Sequence, residues 1–339
     1  MKKIIITFLT FFICINNFQA QSLNTNAIVA MDMDSKRIFY EKNKDDKRLI
    51  ASTTKIMTLI TAIENGNLTD LVEAKEEVLT MYGSNIYLEY HEKMLLLDLL
   101  YGLFLRSGND AAVVIAREVG GNIENFVKMM NDNAKRLNLR NTIYNNPHGL
   151  DEETKNYSTA YDLALLYSYA YKNSIFREIS KTKYYSCYSS FKYYKWKNRN
   201  KLLFKYEKST GGKTGYTPLA KKVLVTSASD NDLDVVISSF NSIYDYDLHE
   251  SLYKDIFYNY KKVLILDKNN FNVKNNPFKG KLYIKSSFSY PLKKDEENKI
   301  IKKIEFYKIN PKNNSKVGKI YIYLDESLIG ARNIYYKSK

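Results

Sequence analysis

The sequence predicts an α/β protein in which an antiparallel sheet packs between helices, followed by a small all-β domain. Three observations carry that expectation. Apolar residues recur at helical spacing between about residues 52 and 173. Three strand-like runs occupy 211–240, and beyond Tyr260 the texture shifts to short alternating runs set among Asn/Lys/Asp-rich turns. With 339 residues, 45% hydrophobic and 26% charged, the chain suits two globular domains.

The first residues, MKKIIITFLTFFICINNFQAQ, set two lysines before an apolar run from Ile4 to Ile15, then Asn16, Asn17 and a small Ala20. This is the pattern of a secretory signal peptide cleaved after Ala20, too short to span a bilayer. The expected division is therefore 1–20 signal, 21–260 α/β domain and 261–339 β-rich domain. Cys14 leaves with the signal, and Cys187 alone makes neither a disulfide nor a zinc cluster. His91, His148 and His249 lie too far apart for a metal motif, so no cofactor is expected. The formal charge of +15 favours anionic surroundings. Export excludes nucleic acid and leaves an anionic cell wall or membrane surface, with a secreted, extracytoplasmic location. The chain ends at Lys339 without an amphipathic tail, so no stable membrane anchor is expected.

The remaining elements follow in order. Ala27–Met31 and Arg37–Glu41 alternate around Asp34-Ser35-Lys36, a hairpin. Ile56, Leu59, Ile60 and Ile63 share one face of a helix from about Ser52 to Glu64, with Gly66 ending it and Ser52 placed to cap it. LLLDLLYGLFLRSGNDAAVVIAREVGG holds two apolar helices interrupted at 106–110. A further helix begins at a capping Asn122, and 141–161 read as a polar loop. Another helix spans 158–173 with Ser158 as its cap. GGKTGYT, KVLVTSAS and DVVISSF are strands, the last two joined by a turn at Asp230-Asn231, and a helix covers about 245–260. The tyrosine-rich stretch near Cys187 reads as a strand pair with one bulky face, and the thiol as buried.

The chemistry lies in three short segments. Ser-x-x-Lys at Ser52/Lys55 means little alone, because Ser180/Lys183, Ser189/Lys192 and Ser251/Lys254 repeat it. Ser107-Gly108-Asn109 at the helix interruption and Lys213-Thr214-Gly215 on a strand change the odds. Ser229-Asp230-Asn231 also fits the middle pattern, but it follows Lys-Thr-Gly and sits on a hairpin turn. A serine hydroxyl needs an adjacent base, and residues i and i+3 on one helical turn face the same way. Lysine, with an ordinary pKa of about 10.4, must be depressed to serve. An apolar helix and the charge of Lys213 both push in that direction. Ser107 is suited to relay a proton, and Asn109 to orient the lysine and donate to a substrate amide. Lys213 and Thr214 offer a pocket for a terminal carboxylate, Gly215 lets a ligand approach the strand edge, and the N–H groups of Ser52 and Tyr216 are candidate oxyanion donors.

In that order the three segments form the signature set of penicillin-binding proteins and serine β-lactamases. Together with ASTTKIMT, NPHGLD and YSTAYDLALL, the chain resembles the serine-type D-alanyl-D-alanine carboxypeptidases, the low-molecular-weight penicillin-binding proteins, from about Ala27 to residue 260. The resemblance implies a β-lactamase/transpeptidase-like fold. It also implies a seryl acyl-enzyme, removal of the terminal D-alanine from peptidoglycan pentapeptides, and covalent trapping by β-lactams. By motif match it gives Ser52 the role of nucleophile, Lys55 that of base, Ser107 and Asn109 the second motif, and Lys213 carboxylate binding. Two positions depart from the family pattern: Gly212 where an apolar residue is usual, and Lys221 where a glycine is common. His148 and Asp151 suggest loop packing rather than a Ser-His-Asp triad. The alternatives are a β-lactamase on the same fold, against which the absence of a Glu-x-x-Leu-Asn segment counts, and a non-catalytic wall-binding protein.

Overall fold

The computed structural model describes residues 24–307 and 310–338; the expected signal segment 1–20, with Cys14, lies outside them. Strands β1 (Ala27–Asp32) and β2 (Ile38–Lys42) form the expected hairpin. A two-residue strand β3 (Arg48–Leu49) leads into a 3-10 turn, Ala51–Thr54, and then helix α1 (Lys55–Asn65). Strands β4 (Leu71–Glu73) and β5 (Lys93–Leu95) pair ahead of α2 (Leu96–Tyr101). A π-helical turn, Gly102–Arg106, separates α2 from α3 (Asn109–Gly120). Next come α4 (Ile123–Arg136), β6 (Tyr157–Ser158), α5 (Ala160–Ala170) and α6 (Ser174–Lys181). The hairpin of β7 (Tyr184–Tyr188) and β8 (Tyr193–Lys197) precedes a short α7 (Leu202–Lys205). Three long strands, β9 (Ser209–Thr217), β10 (Lys221–Asp230) and β11 (Leu233–Phe240), precede α8 (Asp245–Asn259).

These strands build a five-stranded antiparallel sheet in the order β2-β1-β11-β10-β9. It is buried on both faces: β1 and the middles of β10 and β11 are buried residue after residue rather than in alternation, with small Thr and Ser among the apolar side chains. Ala27, Val29, Met31, Val236 and Phe240 join the core shared with α1 to α6. Ile28, Ala30, Val235 and Ile237, from the same two strands, meet Leu252, Tyr253 and Ile256 of α8 on the other side. β9 is left at the edge.

The all-β part comprises β12 (Tyr260–Leu266), β13 (Lys281–Ile284), β14 (Phe288–Lys293), β15 (Ile300–Phe306), β16 (Lys316–Leu324) and β17 (Ser327–Lys337). β12 pairs with β14, and a four-stranded sheet runs β13-β17-β16-β15. Leu282, Ile320, Ile322 and Ile334 of the larger sheet pack against Leu266, Phe288 and Leu292 of the smaller.

Several expectations need correction. The first helix starts with a 3-10 turn, and neither that turn nor α1 has a side-chain cap, so Ser52 is not an N-cap. Asn122 does cap α4, accepting from Asn125 N at 2.7 Å. α5 is capped by Thr159, not Ser158, which pairs with Arg48 in the β3–β6 ladder. Strands β3 to β6, helices α6 and α7, and strands β14 and β17 were not expected from the sequence. The two departures from the family pattern have backbone reasons. Gly212 has φ +144°, and a Cβ there would lie 2.4 Å from the Val225 carbonyl oxygen. Lys221 itself adopts a left-handed conformation, φ 60°, at the β9–β10 turn.

Arg37, at the start of the second strand of the hairpin, reaches into the β-rich part. Its guanidinium forks onto Glu296 at 2.6 and 2.8 Å, donates to the Pro291 carbonyl at 2.7 Å, and lies over the rings of Tyr260 and Tyr290. Both partners are largely shielded, with 13% and 15% of their side chains exposed. A planar bidentate pair of this kind is not replaceable by a point charge. Arg37→Ala is expected to cost about 2 kcal/mol in denaturant unfolding, and Arg37→Lys to recover only part of it. No shift in the midpoint would show the clamp to be ornamental.

Candidate active site

The serine turn is held by packing rather than by a cap. Thr53 N and Oγ1 both bond the Ile50 carbonyl, at 3.1 and 2.6 Å. Ala51 takes a left-handed conformation, φ 46°. From Ala51 to Ala62, Ser52 is the one residue that is not buried. Gly215 explains how β9 comes so close: a Cβ on it would lie 3.1 Å from Ser52 N, Thr53 N and Ile50 O. The glycine therefore admits the chain's own serine turn to the strand, where the sequence suggested room for a ligand. Tyr216, the next residue along, is 65% exposed at the same gap.

Lys55 opens α1 with its side chain fully buried. Its Nζ has three neighbours: Asn109 Oδ1 at 2.7 Å, the His148 carbonyl at 2.6 Å and Ser52 Oγ at 3.2 Å. Burial holds this amine well below the usual lysine range. The charges of Lys213 and Arg199 push the same way, and Asp110 opposes them. An uncharged lysine has two N–H donors and one lone pair. The carbonyl and the amide oxygen can only accept, so they consume both donors and leave the lone pair for the Ser52 hydroxyl proton. The amide orientation is fixed in turn, because Asn109 Nδ2 donates to the Tyr82 carbonyl at 2.7 Å.

The second segment sits where the π-helical turn ends. Ser107 is left-handed, φ 65°, and Asn109 begins α3. Asp110 staples residues 86–88 over this turn, its carboxylate accepting from Ile86 N and Leu88 N at 3.0 Å each. Lys213 of β9 reaches across to Ser107 Oγ at 3.1 Å and also donates to the Thr214 carbonyl at 2.9 Å. Burial, and then the charge of Arg199, push its amine down to about 7. Ser52, Lys55, Ser107, Asn109, Lys213, Thr214, Gly215 and Tyr216 thus converge on one site at the edge strand.

Three contributors were not read from the sequence. Arg199 follows β8, donates to Ser84 Oγ at 2.6 Å and brings a third positive charge. The carbonyls of Tyr82 and His148 supply acceptors that any residue type could supply. The His148 ring takes no part as a base. Its Nδ1 accepts from Leu150 N at 3.1 Å, and burial followed by the Lys55 charge lowers it to about 3. Asp151 instead accepts from the Thr217 hydroxyl, in keeping with loop packing. Gly149, φ +92°, lets this loop press on the serine turn, since a Cβ there would lie 2.0 Å from Ala51 O. Ser180 of the look-alike pair is buried, accepting from Gly212 N at 3.0 Å and bonding Tyr167. Ser229 lies at the far end of β10 from the residues facing Gly215. Cys187 is buried and its thiol is pushed up to about 12, chiefly by desolvation.

Two family descriptions match the chain: D-alanyl-D-alanine carboxypeptidase over residues 15–243, and penicillin-binding protein 5, C-terminal domain, over residues 259–339. The D-alanyl-D-alanine carboxypeptidase DacF of Bacillus subtilis is 36% identical over 225 residues, covering 63% of this chain and 56% of that protein. DacA of Haemophilus influenzae is 32% identical over 254 residues, covering 67% of this chain and 62% of that protein. In these two matches the chain spans less than two thirds of its relatives' own length. The crystal structure of penicillin binding protein 5 from Haemophilus influenzae superposes with a TM-score of 0.80 at 26% identity, covering 94% of this chain and 97% of that one.

The two buried amines give this arrangement a measurable signature. In a lysine-selective NMR titration, the Lys213 side chain is expected to titrate near 7. Arg199→Gln removes a neighbouring positive charge and should raise that midpoint, while burial still keeps it below the ordinary value. A Lys213 midpoint near 10.5 would contradict the geometry.

Proposed function

We propose that this chain, which belongs to the D-alanyl-D-alanine carboxypeptidase family, is an exported serine carboxypeptidase that removes the terminal D-alanine from peptidoglycan pentapeptides and is acylated by β-lactams. The single observation that carries the reading is the hydrogen-bond count at Lys55. Its two donors are occupied by obligate acceptors, and its free lone pair faces Ser52.

Ser52 is the nucleophile. Its proton passes to Lys55 as Oγ bonds to the penultimate D-alanine carbonyl carbon. The N–H groups of Ser52 and Tyr216 receive the developing oxyanion. Lys55 returns the proton through Ser107 to the leaving nitrogen, the C–N bond breaks, and D-alanine departs with its amine protonated. Water then attacks the ester with Lys55 again as base, and Oγ recovers a proton. Thr214, Lys213 and Arg199 hold the terminal carboxylate, and Asn109 orients Lys55. Removal of residues 1–20, a catalytic part over 21–260, a β-rich part over 261–339 and association with an anionic wall or membrane surface belong to the same proposal.

Ser52→Ala is expected to lower D-alanine release from a D-Ala-D-Ala peptide by roughly a thousandfold or more and to abolish penicillin labelling. Ser251→Ala, the exposed look-alike, should change neither. Mass spectrometry after penicillin exposure should place a long-lived adduct on Ser52. Rapid loss of the adduct would favour a β-lactamase, and an adduct on Ser52→Ala would remove the assignment.

The pH profile of acylation follows from the same lysine. The reaction requires the neutral amine, so the rate should rise with pH through the depressed Lys55 pKa and level off before the ordinary lysine range. Lys213→Met deletes a positive neighbour, so Lys55 keeps its proton to higher pH and the rising limb moves upward. A limb that moves downward would contradict this account.

A further inference from the structure

Beyond Thr214 the site opens into a cleft of about 620 Å³ whose lining includes Arg106, Lys197, Arg199, Lys201 and Thr214. Its cations come from two separate stretches of chain. Arg106 ends the π-helical turn beside Ser107, while Lys197 ends β8 and Arg199 and Lys201 lie on the link from β8 to α7. Among the described residues none of these four side chains forms an ion pair. Arg106 stands close enough to Arg199 to disfavour its charged form. The carboxylate that senses Lys201 is Asp245, which already has Lys222 at 4.0 Å. Lys197 is held over the ring of Phe204 at 4.7 Å, which shapes the wall instead of neutralising it.

Like charges gathered without a counter-ion are unfavourable in the empty protein and become favourable when an anion arrives. One carboxylate, that of the terminal residue, is already accounted for by Lys213, Thr214 and Arg199. Arg106, Lys197 and Lys201 line the same cleft beyond Thr214, and the departing residue's own side chain is the group we place among them. We propose that these three residues form a second anion subsite, which takes an acidic side chain on the terminal, leaving residue of the peptide. This rests on the carboxypeptidase reading and extends it from D-alanine to D-amino acids bearing a second carboxylate. The chemistry is unchanged: the same peptide bond is hydrolysed by one water, and a dicarboxylic D-amino acid leaves.

The test uses the whole chain and three peptides alike up to the penultimate D-alanine, ending in D-Ala, D-Glu or its neutral isostere D-Gln. With native protein at low salt, kcat/KM for D-Glu should exceed that for D-Gln by roughly tenfold, the worth of one charge-assisted contact. The difference should lie in KM and shrink as salt rises. Arg106→Gln, and separately the pair Lys197→Gln/Lys201→Gln, should bring the ratio towards one while D-Ala release stays unchanged. If Arg106→Gln fails to label with penicillin, the lysine pair decides. A native ratio of one, or a ratio that survives both sets of substitutions, overturns the subsite and leaves the carboxypeptidase reading standing. No turnover of any of the three peptides overturns that reading and the subsite with it.

Discussion

The proposed chemistry depends on keeping one buried amine uncharged, that of Lys55. Lys55 is fully buried, and among the described residues its Nζ hydrogen-bonds Ser52, Asn109 and the His148 carbonyl. A fourth acceptor would stabilise the ammonium form, and one acceptor fewer would leave the lone pair free to point elsewhere. The surroundings serve that count. The Tyr82 carbonyl sets the Asn109 amide so that oxygen, not nitrogen, faces the lysine. The loop after α4 delivers the His148 carbonyl, which Thr58 helps to seat by bonding the Pro147 carbonyl at 2.6 Å. Asn156 ties the same loop to Thr54 at 3.0 Å.

The site's positive charge is only partly relieved, since Asp110 opposes Lys213 and Arg199 at Lys55. Asp110's oxygens accept from backbone N–H groups instead of hydrogen-bonding either lysine. Lys55, Lys213 and Arg199 therefore act on one another directly, which is what depresses both amines beyond the effect of burial. Each neutralising partner placed there would stabilise the resting protein and weaken the proposed hold on a carboxylate. This is the familiar opposition between stability and function at a binding site.

How much of this could be read from the chain varies with the kind of interaction. Ser52, Lys55, Ser107, Asn109 and Lys213 could be singled out because their side-chain types stand at characteristic spacings, and the fold brings them together. The acceptors at Tyr82 and His148 were not, since a backbone carbonyl leaves no mark on residue type. Arg199 was invisible for another reason: it is one of many basic residues, and only the fold shows it beside β9. Helix α6 spans eight residues and buries only Phe176, Ile179 and Ser180, too little for a period to register. β17 was masked by Gly330-Ala331-Arg332-Asn333, a poor strand sequence on propensity. Gly330 is there because a Cβ would lie 2.4 Å from the Phe288 ring.

The look-alike motifs sharpen the point about environment. Ser180/Lys183 has the same spacing as Ser52/Lys55, and Ser180 is even more buried. Yet its hydroxyl faces Tyr167 and the Gly212 N–H, and no lysine amine is among its partners. It therefore supports β9 from behind, while Ser52 meets the same strand through Gly215. Two serines in one pattern thus meet a single edge strand, one as scaffold and the other as the proposed nucleophile. What separates them is whether a buried amine has a lone pair left to offer, a property that spacing alone does not encode.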